Sequence, residues 1–105
     1  MSTKKKSKSI KFLESITKES LSLANLLESI RLGEEETQAN FAEKLGISRS
    51  HLCDIEKGRK SVSVARAAEF ANILGYSQEQ FVRLSLQDEV NKAGLELLKV
   101  KIEVA

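Results

Sequence analysis

Proline and tryptophan are absent from this chain, and cysteine, methionine and histidine occur once each. Without proline, no helix is interrupted by a residue that lacks a backbone N–H. One cysteine cannot close an internal disulfide, and with one histidine it makes no metal-ligand cluster. The two, His51 and Cys53, lie two apart on an expected helix, so they face different directions. No apolar run approaches the ~20 residues of a membrane span. The N-terminal lysines are not followed by the apolar stretch of a secretory signal. No nucleophile–base pair, glycine-rich phosphate loop or carboxylate pair stands out, so neither an enzyme nor a cofactor is expected. A cytoplasmic protein without membrane association is the expectation.

What is present is charge and helical periodicity. The chain has 105 residues, 41% hydrophobic and 30% charged, enough for one domain with a modest core. The net charge of +2 is unevenly placed: Lys4, Lys5, Lys6, Lys8 and Lys11 crowd the start, and the remainder leans acidic. Residues 1–9 carry no apolar pattern and are expected to be a disordered basic arm, either simply solvated or touching phosphates nonspecifically. Ile10, Phe12, Leu13 and Ile16 fit a short helix or an extended segment equally well.

Residues 10–95 are expected to form one helical domain. A first helix starts after Ser22, with Leu23, Leu26, Leu27 and Ile30 inward, and stops at Gly33. Glu34, Glu35 and Glu36 precede the next helix, where acidic groups favour the N-terminus but repel phosphate. The second helix runs from Gln38 to Leu45 behind Thr37, with Phe41, Ala42 and Leu45 inward, and Gly46 ends it. Ser48 caps the third, from Arg49 to about Lys57, with Leu52 and Ile55 inward and Gly58 as its end. The fourth spans Val64 to Leu74 after Ser63, and Gly75 stops it. Ser77-Gln78-Glu79-Gln80 reads as a capping box that opens the fifth, which carries Phe81, Leu84 and Val90 and ends by Gly94.

The period then changes. Leu98, Val100, Ile102 and Val104 alternate with Lys99, Lys101 and Glu103, which predicts a short strand over residues 96–105. A lone strand leaves its backbone groups unpaired. The tail must therefore pair with a second copy, with the segment around Ile10–Ile16, or with another protein.

The second and third helices, joined by a tight turn and followed by a basic exit, have the organisation of a helix-turn-helix. A helix that enters the major groove needs one apolar face for anchorage and one polar face for reading. On the third helix Leu52 and Ile55 point one way, while Arg49, Ser50, Asp54 and Lys57 point the other. Arg49 can donate twice to guanine, Asp54 can accept from cytosine, and Ser50 can do either. The start of the second helix, Thr37 and Gln38, can clamp a phosphate. Lys57, Arg59 and Lys60 place three positive charges where a nucleic-acid backbone would run.

Residues 23–75 resemble the lambda-repressor-like, Cro/C1-type (Xre family) helix-turn-helix domain. The resemblance rests on Arg31, Thr37-Gln38, Phe41-Ala42, Leu45-Gly46, Ile47-Ser48, Ile55-Glu56-Lys57-Gly58 and Leu74-Gly75. It covers about half the chain, and its specificity lies in the combination. It implies an all-α, five-helix lambda-repressor-like DNA-binding domain, followed by the short C-terminal β-strand. It also implies roles: Gln38 on phosphate; Arg49, Ser50 and Asp54 toward bases; His51 at the groove edge; and Arg31 paired with Glu56 as a structural salt bridge. Two positions depart from the pattern. Val64 stands where many relatives have proline, and Asp54 is acidic at a reading position, which restricts the compatible bases.

Two functions fit. One is a sequence-specific transcriptional repressor that binds a palindromic operator in double-stranded DNA as a homodimer, since one helix reads few base pairs and two-fold symmetry doubles the contacts. The other is an antitoxin that holds a toxin protein and autoregulates its operon. The tail discriminates them: pairing with its own copy favours the first, and an open apolar edge favours the second.

Overall fold

The computed structural model describes residues 21–104. The expected basic arm over residues 1–9 and the apolar segment Ile10–Ile16 lie outside the described residues. Within them the chain is helical: α1 Leu23–Gly33, α2 Gln38–Leu45, α3 Arg49–Glu56, α4 Val64–Leu74 and α5 Gln78–Lys92. No helix among the described residues is long and apolar enough to cross a membrane.

Each helix starts behind a hydroxyl residue. The side chains of Ser22, Thr37, Ser48, Ser63 and Ser77 accept the N–H three residues on, at 3.0–3.2 Å. Each cap satisfies one of the donors that a helix start leaves without an intrahelical partner, worth ~1 kcal/mol. The chain divides into two compact units, one ending at Lys60 and the other beginning at Ser61.

In the first unit α2 packs on α3, and α1 also packs on α3. Leu23, Leu26, Leu27 and Ile30 from α1 are buried, as are Phe41, Ala42 and Leu45 from α2 and Leu52 and Ile55 from α3. These are the inward positions of the helical periodicity. The end of α1 departs from expectation. Gly33 lies inside the helix, and the left-handed residue is Glu35, with φ 57°. Glu35 N–H donates to the Leu32 carbonyl and Glu36 N–H to the Arg31 carbonyl, both at 3.0 Å. This is the Schellman pattern, in which the left-handed position normally favours glycine. A non-glycine residue there costs ~1–2 kcal/mol, while glycine loses ~0.5–1 kcal/mol through chain entropy. Glu35→Gly is therefore expected to raise stability, by up to ~1 kcal/mol. Urea midpoints of the two proteins check this, and a lower midpoint for the variant would contradict it.

In the second unit α4 packs on α5. Val62, Ala67, Phe70, Ala71, Phe81 and Leu84 are buried. The rings of Tyr76 and Phe81 tilt against each other at 5.9 Å between centroids. Two buried polar side chains on α5 organise what precedes and follows the helices. Ser85 Oγ donates to the Val62 carbonyl at 2.8 Å. Gln87 Nε2 donates to the Leu98 carbonyl and Gln87 Oε1 accepts from Val100 N–H, each at 2.8 Å.

The expected C-terminal strand is not shown in the single chain, where that last pair of bonds holds the tail. Among the described residues, 96–104 form no strand: a turn at Glu96 and Leu97 leads into a tail without regular structure. A ladder needs a second strand, and none of the described segments supplies one. A single side-chain amide bonds the tail instead, offering one donor and one acceptor as a neighbouring strand residue would.

Candidate nucleic-acid interface

The site is built on α2, α3 and the turn between them. Gly46 adopts φ 77°, a left-handed conformation that glycine enters without steric cost. Ile47 N–H then reaches back to the Ala42 carbonyl at 3.0 Å. The turn is thus Gly46-Ile47-Ser48, and Ser48 immediately caps α3. Burial of Leu52 and Ile55 fixes the rotation of α3. Arg49 and Ser50, in its first turn, are exposed. Among the described residues the Arg49 guanidinium has no hydrogen-bond or ion-pair partner, so all its donors face solvent.

The other expected reading residues are more constrained. His51 is half-buried. Asp54 is also half-buried, and its carboxylate accepts from Arg59 Nη1 at 3.2 Å. The Asp54 carbonyl receives Arg59 N–H at 2.8 Å and Lys60 N–H at 3.2 Å. Asp54 therefore holds the basic exit in place through three contacts. Arg59 remains 63% exposed in this pair, so its guanidinium still faces solvent. Lys57 and Lys60 are exposed on either side of it.

At the start of α2 the Thr37 hydroxyl is occupied as a cap, accepting Asn40 N–H at 3.1 Å. The Gln38 amide turns inward and donates to Glu56 Oε1 at 2.9 Å. The groups left to meet a phosphate are the first backbone N–H groups of α2. Glu56 is the hub of this region. Arg31 Nε donates to Glu56 Oε2 at 2.8 Å and Arg31 Nη2 to Oε1 at 3.1 Å, a bidentate pair. Arg31 Nη1 donates to the Glu36 carbonyl at 3.1 Å. The side chains are 13% and 4% exposed, and no buried side-chain polar atom among the described residues lacks a partner. Three segments are thereby locked together: the end of α1, the start of α2 and the end of α3.

The acidic run beside α2 is largely engaged. Lys44 Nζ bonds to Glu36 and lies 3.6 Å from Glu34. The hydrogen bond to Glu36, with the charges of Glu36 and Glu34, raises the Lys44 amino group above its ordinary pKa. Any stability this supplies is present below pH 10.5 and fades as pH rises through the raised value. The side chain is exposed, so solvent screens the effect. The pairing matters more for the field, because it reduces the negative charge beside the N-terminus of α2.

Sequence reasoning missed the Gln38–Glu56 bond and the Asp54–Arg59 clasp. The first leaves no signal in hydropathy. The second is detectable as an acid and a base five apart across a helix end.

Residues 30–81 match the helix-turn-helix family. No curated protein and no solved structure matches the chain.

Proposed function

Residues 30–81 belong to the Cro/C1-type, Xre-like helix-turn-helix family of DNA-binding regulators, and from that premise we propose that this chain is a dimeric repressor of a palindromic operator. One observation carries the reading: the unpartnered, exposed Arg49 stands in the first turn of α3, immediately after the motif's turn. Arg49 and Ser50 meet base edges in the major groove. Asp54 acts beside them, accepting from cytosine or orienting Arg59, and His51 lines the groove edge. Lys57, Arg59 and Lys60 contact phosphates, as do the Thr37–Gln38 backbone donors at the start of α2. Arg31 and Glu56 hold the frame on which these groups sit. Action on DNA implies a cytoplasmic or nucleoid location.

The test begins with selection of bound fragments from random or genomic DNA. Against the selected site, Arg49→Ala is expected to weaken binding by ~1–3 kcal/mol and to relax the preference at one base pair, with no change in melting temperature. Equal affinity for all sequences before and after the substitution would sink the recognition-helix assignment.

A second reading, an antitoxin that also autoregulates, draws support from the apolar groups around the tail. Leu97 is 94% exposed and Val104 78%, with Leu95 and Leu98 also exposed. A stable complex with a toxin protein, abolished by Leu97→Asp, would favour that reading.

A further inference from the structure

The repressor reading requires two copies but leaves open what joins them. We propose that the tails of two copies pair as an antiparallel ribbon, with Ile102 directly opposite the partner's Ile102. The proposal rests on the dimeric reading above.

Gln87 bonds one edge of the tail. Its amide engages the Leu98 carbonyl and Val100 N–H, so these even-numbered residues turn their backbone groups toward α5. In extended chain, alternate residues aim their N–H and C=O at opposite edges. Lys99, Lys101 and Glu103 therefore present theirs outward. Among the described residues, the backbone groups of Lys101 and Glu103 have no hydrogen-bond partner. An edge of this kind is a template for another strand.

A second copy fits that edge better than an arbitrary chain. Pair the tail antiparallel with itself, centred on Ile102. Lys101 then faces the partner's Glu103, and Glu103 faces the partner's Lys101. Val100 faces the partner's Val104. Two opposite-charge pairs form on one side and a run of β-branched pairs on the other, both favourable cross-strand combinations. The pairs that exchange hydrogen bonds are Lys101 and Glu103, the residues whose backbone groups are open. Shifting the centre to Lys101 keeps the faces but sets two lysines head-on, which is unfavourable. An isolated two-stranded ribbon is only marginally stable in water. Each tail here is already anchored: Gln87 holds it, and Val100 and Ile102 are half-buried. A groove of about 420 Å³ lies between α5 and the tail, lined by Gln80, Arg83, Lys101, Ile102 and Glu103 among others.

The test uses the full chain. In a Cys53→Ser background, Ile102→Cys is expected to oxidise readily to a covalent dimer on a non-reducing gel, while Lys101→Cys stays largely unlinked. Lys101→Glu is expected to weaken dimerisation about tenfold in sedimentation equilibrium, and Lys101→Glu/Glu103→Lys to restore it. Preferential linking through Lys101→Cys overturns the register. Unchanged dimerisation of Lys101→Glu, or a wild-type chain monomeric at all concentrations, overturns the pairing itself. A dimer that persists and still binds its operator while neither cysteine links would leave the repressor reading standing and remove the tail from it.

Discussion

Arg31→Ala is expected to destabilise the fold by ~3–5 kcal/mol, because it strands a buried carboxylate. Glu56 is 4% exposed and receives two of its three hydrogen bonds from Arg31. Only the neutral Gln38 amide would remain, and a neutral donor does not compensate a desolvated charge. The same substitution deprives the Glu36 carbonyl of its donor, loosening the segment before α2. Glu56→Ala is expected to cost less, since the Arg31 guanidinium keeps the Glu36 carbonyl and is nearer solvent. Replacing both partners, Arg31→Met with Glu56→Leu, should recover much of the loss, because no charge is then left unpaired. Urea denaturation of the three variants checks the ordering. A melting shift of only a degree for Arg31→Ala would contradict it, since each kcal/mol moves a domain of this size by ~4–8 °C.

The helical frame was legible because its signals are local. Ser22, Thr37, Ser48, Ser63 and Ser77 each precede an apolar repeat of helical period, and each caps a helix. Gly46 and Gly75 directly follow α2 and α4 and take left-handed conformations there. What escaped depends on chain segments meeting at a distance. Gln87 looks like a surface residue in any periodicity plot, and its burial follows only from the return of Leu98 and Val100 to α5. Ser85 is buried for the same kind of reason, because Val62 brings it a carbonyl. The left-handed Glu35 contradicts local preference, and the two hydrogen bonds that hold it close on α1. The alternating tail was a true pattern without the strand it usually signals. Alternation reports which side chains share a face, while a strand also needs a neighbour. In the interface, Arg49 and Ser50 could be placed outward from the rotation that Leu52 and Ile55 impose on α3. The inward turn of Gln38 could not, since a polar residue at a helix start serves a phosphate or a buried carboxylate equally well.

Under the proposed docking, DNA affinity is expected to fall steeply with salt, and the steepness would count the copies bound. Each cation that neutralises a phosphate releases condensed counterions, so the logarithm of affinity falls with the logarithm of salt at a slope of about −0.9 per contact. One copy offers Lys57, Lys60 and Arg59 at the exit of α3, with Arg59 already sharing charge with Asp54. That amounts to roughly two to three contacts per copy and four to six for a two-fold pair, hence a slope between about −4 and −5. Between 50 and 200 mM salt, affinity should then drop by about 10² to 10³. A single copy would lose only about 10- to 40-fold over the same range. Lys57→Ala combined with Lys60→Ala should flatten the slope by about 3 to 4 for a pair, without changing which sequence is preferred. Arg49→Ala should do the opposite, altering preference more than slope, because a base-edge contact discriminates sequences where a phosphate contact does not. Fluorescence anisotropy on one labelled site across a salt series measures both quantities. A slope near −1 would show that the basic exit of α3 does not lie along the backbone, and the proposed docking would then have to be abandoned.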